Sequence, residues 1–355
     1  MFNNMVKERD SNIELLRIVS ALFVTMLHYN YNIAFREVVW GGHNFWVLNL
    51  FECISIPAVN LFVIITGYFS YHSNNRKINK PLSLIVQTVI WGILYILFYG
   101  LCVEKVEDVA LIKQIIACII TPNYFVTLYV VLYIISPYLN YLISSLTERS
   151  FRILILYLFL IFSIWATIMD LGNEFLNTNS FDTGSPIGQR GSQFGYTIVH
   201  FIFIYLLGAY ISKYSLSFSM KSLIFGIILS VLLVFAWRCL DLLYCENSQL
   251  STALSYNNPL VIALSFFIFM LFKELRIKSK IVNELSGAAF TCYLIQGYFL
   301  KEINISKSVN GSLSDMLLHV IISLIGIYLV SYFAYKLFSF TFGRIISKIK
   351  VQFNY

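Results

Sequence analysis

Apolar runs long enough to cross a bilayer recur ten times in this chain, and no other feature constrains its fold so strongly. They fall near residues 12–33, 45–71, 81–102, 123–143, 151–171, 194–213, 220–244, 257–273, 284–301 and 313–338. A helix of about 20 apolar residues spans the hydrocarbon core. Only helices and closed barrels satisfy their own backbone polar groups at that depth. Of the 355 residues, 58% are hydrophobic and only 12% charged, a balance foreign to soluble globular domains. The expected fold is all-α: a polytopic membrane protein of about ten transmembrane helices. Residues 1–355 read as a single transmembrane domain, with no hydrophilic stretch long enough for a soluble one. A shorter apolar run, 109–121, reads as an interfacial helix.

Ten spans put both termini on one side. With that register, the tails and the loops on the same side hold 18 of the 25 basic residues, while the opposite face keeps 12 of the 18 acidic ones. The positive-inside rule then places both termini in the cytoplasm. The first apolar segment lacks a small-x-small cleavage site and runs on as a full span, so it does not read as a signal peptide. Six cysteines (Cys53, Cys102, Cys118, Cys239, Cys245, Cys292) form no C-x-x-C and lie in or beside apolar spans. They read as small core residues rather than a disulfide or metal framework. A net charge of +7, distributed this way, does not suggest nucleic acid.

Prolines punctuate the spans. Pro81, Pro122 and Pro259 start helices, where the missing N–H costs nothing. Pro57 and Pro137 fall inside spans two and four and predict kinks. The longest polar stretch, 172–193, is external in this register. It reads first as a solvated loop, and second as a contact for sugar.

The first span carries charges within its apolar stretch: Glu14, Arg17 and His28. Intramembrane ionisable groups are costly and mark candidate functional sites. Eleven steps of ~100° bring Arg17 and His28 within ~20° of one face, ~16 Å apart along the axis. Glu52, in a span running the other way, falls at a comparable depth and is placed to orient an imidazole acting as a general base. Arg17 either pairs with Glu14 three residues away or stays available to an anion. The loop after span two adds Arg76, Lys77 and Lys80 ahead of Pro81, and cations at a helix N-terminus suit phosphates. Positive-inside charge explains the same cluster.

Other polar residues within spans are Asn60, Thr66, Tyr124, Tyr129, Tyr293, Gln296 and His200. They line a cavity or hydrogen-bond between helices. Arg238 and Asp241 read as a simple pair, and His43, His72 and His319 as incidental. There is no G-x-S-x-G elbow, P-loop, G-x-G-x-x-G or H-E-x-x-H, and no histidine begins an H-x4-D motif.

These residues resemble the acyltransferase-3 family of integral membrane acyltransferases over nearly the whole chain. They are closest to members that O-acetylate bacterial capsule, exopolysaccharide or O-antigen. The family opens with an acidic residue, an arginine, ten residues and a histidine, matched by Glu14, Arg17 and His28. Val59–Phe69 resembles its second span, with Thr66 where serine is usual. Lys77 and Lys80, with Arg76 adjacent, stand for its basic loop. The stretches 124–129 and 136–140 resemble its fourth span, with Tyr124 in place of the common tryptophan. Leu207-Gly208-Ala209-Tyr210 and Asn258-Pro259-Leu260-Val261 also fit. The late Y-L-I-H motif reads Tyr293-Leu294-Ile295-Gln296, so this chain lacks the second histidine.

The resemblance implies a multi-pass protein of the bacterial cell membrane that transfers an acetyl group. The donor it implies is acetyl-CoA, bound from the cytoplasm with no metal, and the acceptor a hydroxyl of a glycan or lipid-linked glycan. Arg17, Arg76, Lys77 and Lys80 would meet the donor phosphates. His28 would act as general base or transient acetyl carrier, with Glu52 and Arg17 beside it. The partners expected are donor, acceptor and membrane lipid, without nucleic acid, and self-association is compatible with the sequence. Two other readings stand beside it: a polysaccharide exporter or transporter, and a non-catalytic subunit of a glycan-synthesis complex. A transporter should show inverted repeats and paired broken helices, and the sequence shows neither.

Overall fold

Side chains ahead of the apolar runs start many of the helices. In the computed structural model Asn123, Thr147, Thr197 and Asn258 each accept a hydrogen bond from a backbone N–H in the first turn that follows. Pro259 sits in the first turn after Asn258, and Ser312 and Asp315 form a reciprocal capping box. The structure describes residues 10–71, 76–103, 107–120, 123–244, 251–349 and 352–353. His72, Pro122 and Cys245 lie outside the described residues, as does the side chain of Arg76.

The helices that frame the site are α1 (Ser11–Tyr29), α2 (His43–Ser55), α3 (Ala58–Ser70) and α4 (Asn79–Phe98). They are followed by α5 (Asp108–Ile120), α6 (Tyr124–Ser145), α7 (Glu148–Phe159) and α8 (Ala166–Phe175). The set closes with α9 (Ile198–Tyr214), α10 (Met220–Tyr244), α11 (Pro259–Glu274), α12 (Ala289–Leu300) and α13 (Leu313–Phe338). The protein is an all-α polytopic membrane protein, with, among the described residues, one antiparallel two-residue ladder between Arg76–Lys77 and Gln352–Phe353. Eight helical segments among the described residues are long and apolar enough to cross a membrane. The two other expected spans, 194–213 and 284–301, fall on shorter helices. Residues 194–197 stay out of α9 because Phe194 is left-handed (φ 53°) and Thr197 is the cap. A tight turn at Ser286–Ala288 shortens α12 to 12 residues.

Burial separates an inner set of helices from an outer one. The most apolar window of His43–Ser70 is 78% buried, against 17% for Glu148–Phe175 and 22% for Asn79–Val103. The inner helices α1, α3, α9, α11 and α12 carry the polar motifs, so the site is built in the bundle centre. At Pro57 the second span breaks: α2 ends at Ser55 and α3 restarts at Ala58, as expected for a residue without an N–H. Pro137 lies inside α6, which continues through it. The five described cysteines are free thiols.

Close backbone approach fixes α3 against α9. A Cβ at Gly67 would collide with the Tyr205 carbonyl oxygen, and one at Gly208 with the Ile64 carbonyl oxygen. Small residues at such crossings let helix backbones meet, which is how helices associate where lipid is as apolar as the core. The same packing sets Asn60 against His200 and orients the inner face of α3 towards α1 and α6.

Candidate functional site

Arg17 and Lys80 line one cavity of about 670 Å³ between α1, α3, α4, α6 and α12. Thr66, Phe62 and Phe69 of α3 form one wall, Phe125 and Tyr129 of α6 a second, and Phe290 and Tyr293 of α12 a third. The charged groups gather at one end. There Arg17 meets Glu14 at 3.5 Å and lies over the Phe69 ring at 5.7 Å. Both sequence readings of Arg17 therefore hold together: it pairs with Glu14, and it still faces open space. The far end is aromatic and hydroxylated. Thr66 hydrogen-bonds to the Tyr129 hydroxyl at 3.3 Å, and the Phe125 and Tyr293 rings stand 5.0 Å apart.

The other basic residues are less centrally placed. Lys77 is exposed, and its strand pairs with Gln352 while its carbonyl accepts from Tyr133. It is not on the cavity wall.

His28 lies further along α1 and is not on that wall either. Its ring is half-buried, with no hydrogen-bond partner among the described residues. Two contacts give its level against α12. Ser11 hydrogen-bonds to the Ser279 carbonyl, and the Thr25 hydroxyl meets the Cys292 thiol at 3.5 Å, so the two chain segments rise in parallel. Equal rise then sets His28 near the level of residues 295–296, two to three positions beyond Tyr293. Phe125 and Tyr293, in ring contact with each other, form the part of the cavity wall on that side.

After His28 the helix widens into a π turn, Asn30–Ala34, a device frequent at functional sites. Asn30 is buried there and donates to the Glu52 carboxylate at 2.7 Å and to the Leu48 carbonyl. Glu52 therefore holds the segment that follows His28. No hydrogen bond joins Glu52 to the imidazole among the described residues. Glu52 also feels the Arg238 guanidinium, whose Nε donates to Asn49 at 3.1 Å. Sequence read Arg238 with Asp241; the structure adds Glu52 and Glu174 to the carboxylates around that one cation.

The remaining polar positions form a layer in the same half. The His200 Nε2 pairs with the Asn60 side-chain oxygen at 2.8 Å, and the Asn60 amide donates to the Tyr256 carbonyl. Tyr124 packs edge-on against Tyr196, and Tyr196 against Tyr256. Tyr293 donates to Asn123, the cap of α6. Gln296 is fully buried, with its amide on the Tyr293 carbonyl and its Oε1 without a partner among the described residues. His319 is more engaged than expected, at 2.9 Å from the Tyr29 hydroxyl. Asn30, Asn123, Tyr196 and Tyr256 were not anticipated. Asn123, just before an apolar run, carried a legible cap signal; the others acquire their roles only through contacts distant in sequence.

Two sets of groups thus face each other along α1: cations around a cavity, and a deeper layer of imidazole, amide and phenol groups. The arrangement can hold an anionic ligand at one end and offer it a basic nitrogen further in. Comparison with curated proteins and comparison with solved structures each return no match. The family model described as an acyltransferase domain matches residues 10–336, from the start of α1 almost to the end of α13. With that match spanning Arg17, His28, the cavity and the tyrosine layer, the chain belongs to the acyltransferase-3 family of membrane acyltransferases.

Proposed function

We propose that this protein transfers an acetyl group from cytoplasmic acetyl-CoA to a hydroxyl of a bacterial surface polysaccharide or its lipid-linked precursor. The observation that carries this reading is the single cavity shared by Arg17, Lys80, Thr66, Tyr129 and Tyr293. Its volume, about 670 Å³, lies within the usual range for small-molecule sites. Charge at one end and aromatic and hydroxyl groups at the other suit a donor with a phosphorylated head and an apolar, hydrogen-bonding arm. Arg17 and Lys80 hold the phosphates, and Arg76 and Lys77 add positive charge outside the cavity. Ten spans with both termini in the cytoplasmic face of the bacterial cell membrane put this end inside.

The pantetheine arm runs along α1 towards His28, ~16 Å above Arg17 by helix rise. His28 has no partner to displace, so its free nitrogen accepts the proton of the acceptor hydroxyl. The oxygen attacks the thioester carbonyl, the C–S bond breaks, and the departing thiolate of CoA takes up the proton. In the alternative order the imidazole carries the acetyl group between donor and acceptor. Glu52 acts as a positioning residue by holding Asn30, and Gln296 occupies the level of the second histidine that related sequences carry.

Calorimetry with CoA on the purified protein tests the donor site. Each charge-assisted contact to phosphate contributes ~1.5–3 kcal/mol, or roughly 10- to 100-fold in affinity. Arg17→Ala and Lys80→Ala are each expected to weaken CoA by that factor, and Lys77→Ala by less, since it is off the cavity wall. Unchanged affinity in both Arg17→Ala and Lys80→Ala would remove the donor site.

A further inference from the structure

A second cavity, of about 370 Å³, lies between the end of α8, the 177–194 segment and Thr252. We propose that it is the acceptor subsite and that it takes an uncharged sugar ring of the glycan; this rests on the acyltransfer reading above.

The walls are mostly polar. Asp170, Asn173, Glu174 and Asp182 meet Arg190 and Gln193 across the opening. Part of this set is committed to holding the walls in place. Asn173 donates to Asp182 at 2.6 Å and accepts from the Phe181 N–H, and Asp170 accepts from Ser192. Glu174 uses one carboxylate oxygen to accept from the Thr252 N–H at 3.0 Å. The rest is uncommitted. Glu174 Oε1 is shut off from solvent without a partner, and the Arg190 and Gln193 side chains make no hydrogen bond among the described residues. The cavity therefore presents a fork of donors at Arg190 and, at Gln193, an amide that both donates and accepts, beside a Glu174 carboxylate held on Thr252. Vicinal hydroxyls of a pyranose use this set, because each donates and accepts at once. Three carboxylates against one guanidinium disfavour a uronic or sialic acid.

The backbone adds weight to the site. Asn177, Gln193 and Phe194 all line this cavity and all have positive φ (46°, 51° and 53°). Left-handed backbone costs a non-glycine residue of order 1–3 kcal/mol and clusters at ligand sites.

The cavity is wired to the reaction centre on two sides. The Arg238 that acts on Glu174 also acts on Glu52, which holds the turn after His28. Ser192 reaches Asn257, the neighbour of Tyr256 in the tyrosine layer.

Saturation-transfer NMR tests the subsite without turnover. The ligand is the surface polysaccharide of the source bacterium, stripped of esters by mild base and cut to short oligomers. Transfer to its ring protons is expected with the wild type. One lost hydrogen bond is worth roughly tenfold in affinity, so Arg190→Ala and Gln193→Ala should each weaken transfer by about that factor, with CoA affinity unchanged. No transfer with the wild type, or equal transfer with both variants, overturns the subsite. Preferred binding of oligogalacturonate over the stripped glycan overturns its specificity for uncharged sugar. Glycan binding at this cavity without acetyl transfer would leave the subsite standing and refute the acyltransfer reading. Acetyl transfer with an unchanged acceptor KM in both variants would do the reverse.

Discussion

His28→Ala is expected to abolish acetyl transfer while leaving the protein folded and inserted. The two halves of this expectation have separate causes. The imidazole is half-buried and makes no hydrogen bond among the described residues, so truncating it orphans no buried partner. It removes only contact surface, and a packing role would show as a modest loss of stability with activity retained. The chemical loss is larger. Without a base at the acceptor hydroxyl the rate should fall ~10²- to 10⁴-fold. CoA affinity should stay at the wild-type value, because Arg17 and Lys80 line a cavity that His28 does not touch. Turnover of radiolabelled acetyl-CoA at matched protein levels reads the first effect, and calorimetry the second. Wild-type turnover in this variant would remove His28 from the mechanism.

Gly67→Ala and Gly208→Ala should each disrupt the bundle before they disrupt chemistry. In both cases the added carbon meets a backbone carbonyl across the α3–α9 crossing, not the movable end of a side chain. Relief requires the helices to part. Overpacking of this kind typically costs ~1–3 kcal/mol, and more where the backbone must shift. The crossing carries the Asn60–His200 pair and the Thr66–Tyr129 contact, so both the deep layer and the cavity wall should loosen with it. Lower melting temperature in detergent and loss of the monodisperse peak are the expected readouts. Gly326→Ala, within α13 and with nothing inside 4 Å of the new carbon, is the matched control and should melt at or slightly above wild type. Equal melting of all three variants would mean that this crossing does not hold the fold.

The sequence made the helices legible because membrane spans obey a local rule: apolar length and a missing charge. The expected ionisable residues came through on α1 for the same reason, since Glu14, Arg17 and His28 break that rule. Helical period then placed Arg17 and His28 on one face. What could not be read is who meets whom across helices. Glu52 lies at a depth that suggested His28, yet it is Asn30, two residues later, that reaches it, because the helix widens into a π turn there. Arg238 looked like the partner of a near neighbour, Asp241. It stands among carboxylates from two further segments as well, Glu52 and Glu174, and sequence distance hid that. The ring contact of Phe125 with Tyr293 on the cavity wall was also invisible, because the two are 168 positions apart. The short helices α9 and α12 show a limit of the apolar-length rule: a left-handed Phe194 and a tight turn at Ser286–Ala288 start them late.

The most direct measurement uses inverted membrane vesicles, with the cytoplasmic face outward. Acetyl-CoA labelled in its acetyl carbon is added outside, and de-esterified surface glycan is sealed inside the vesicles as acceptor. Label released from the recovered glycan by mild base counts the ester formed. Base-labile label on the glycan is expected with the wild type, and none above background with His28→Ala or without acceptor. Absence of label with the wild type, or equal label with His28→Ala, would contradict acetyl transfer through His28.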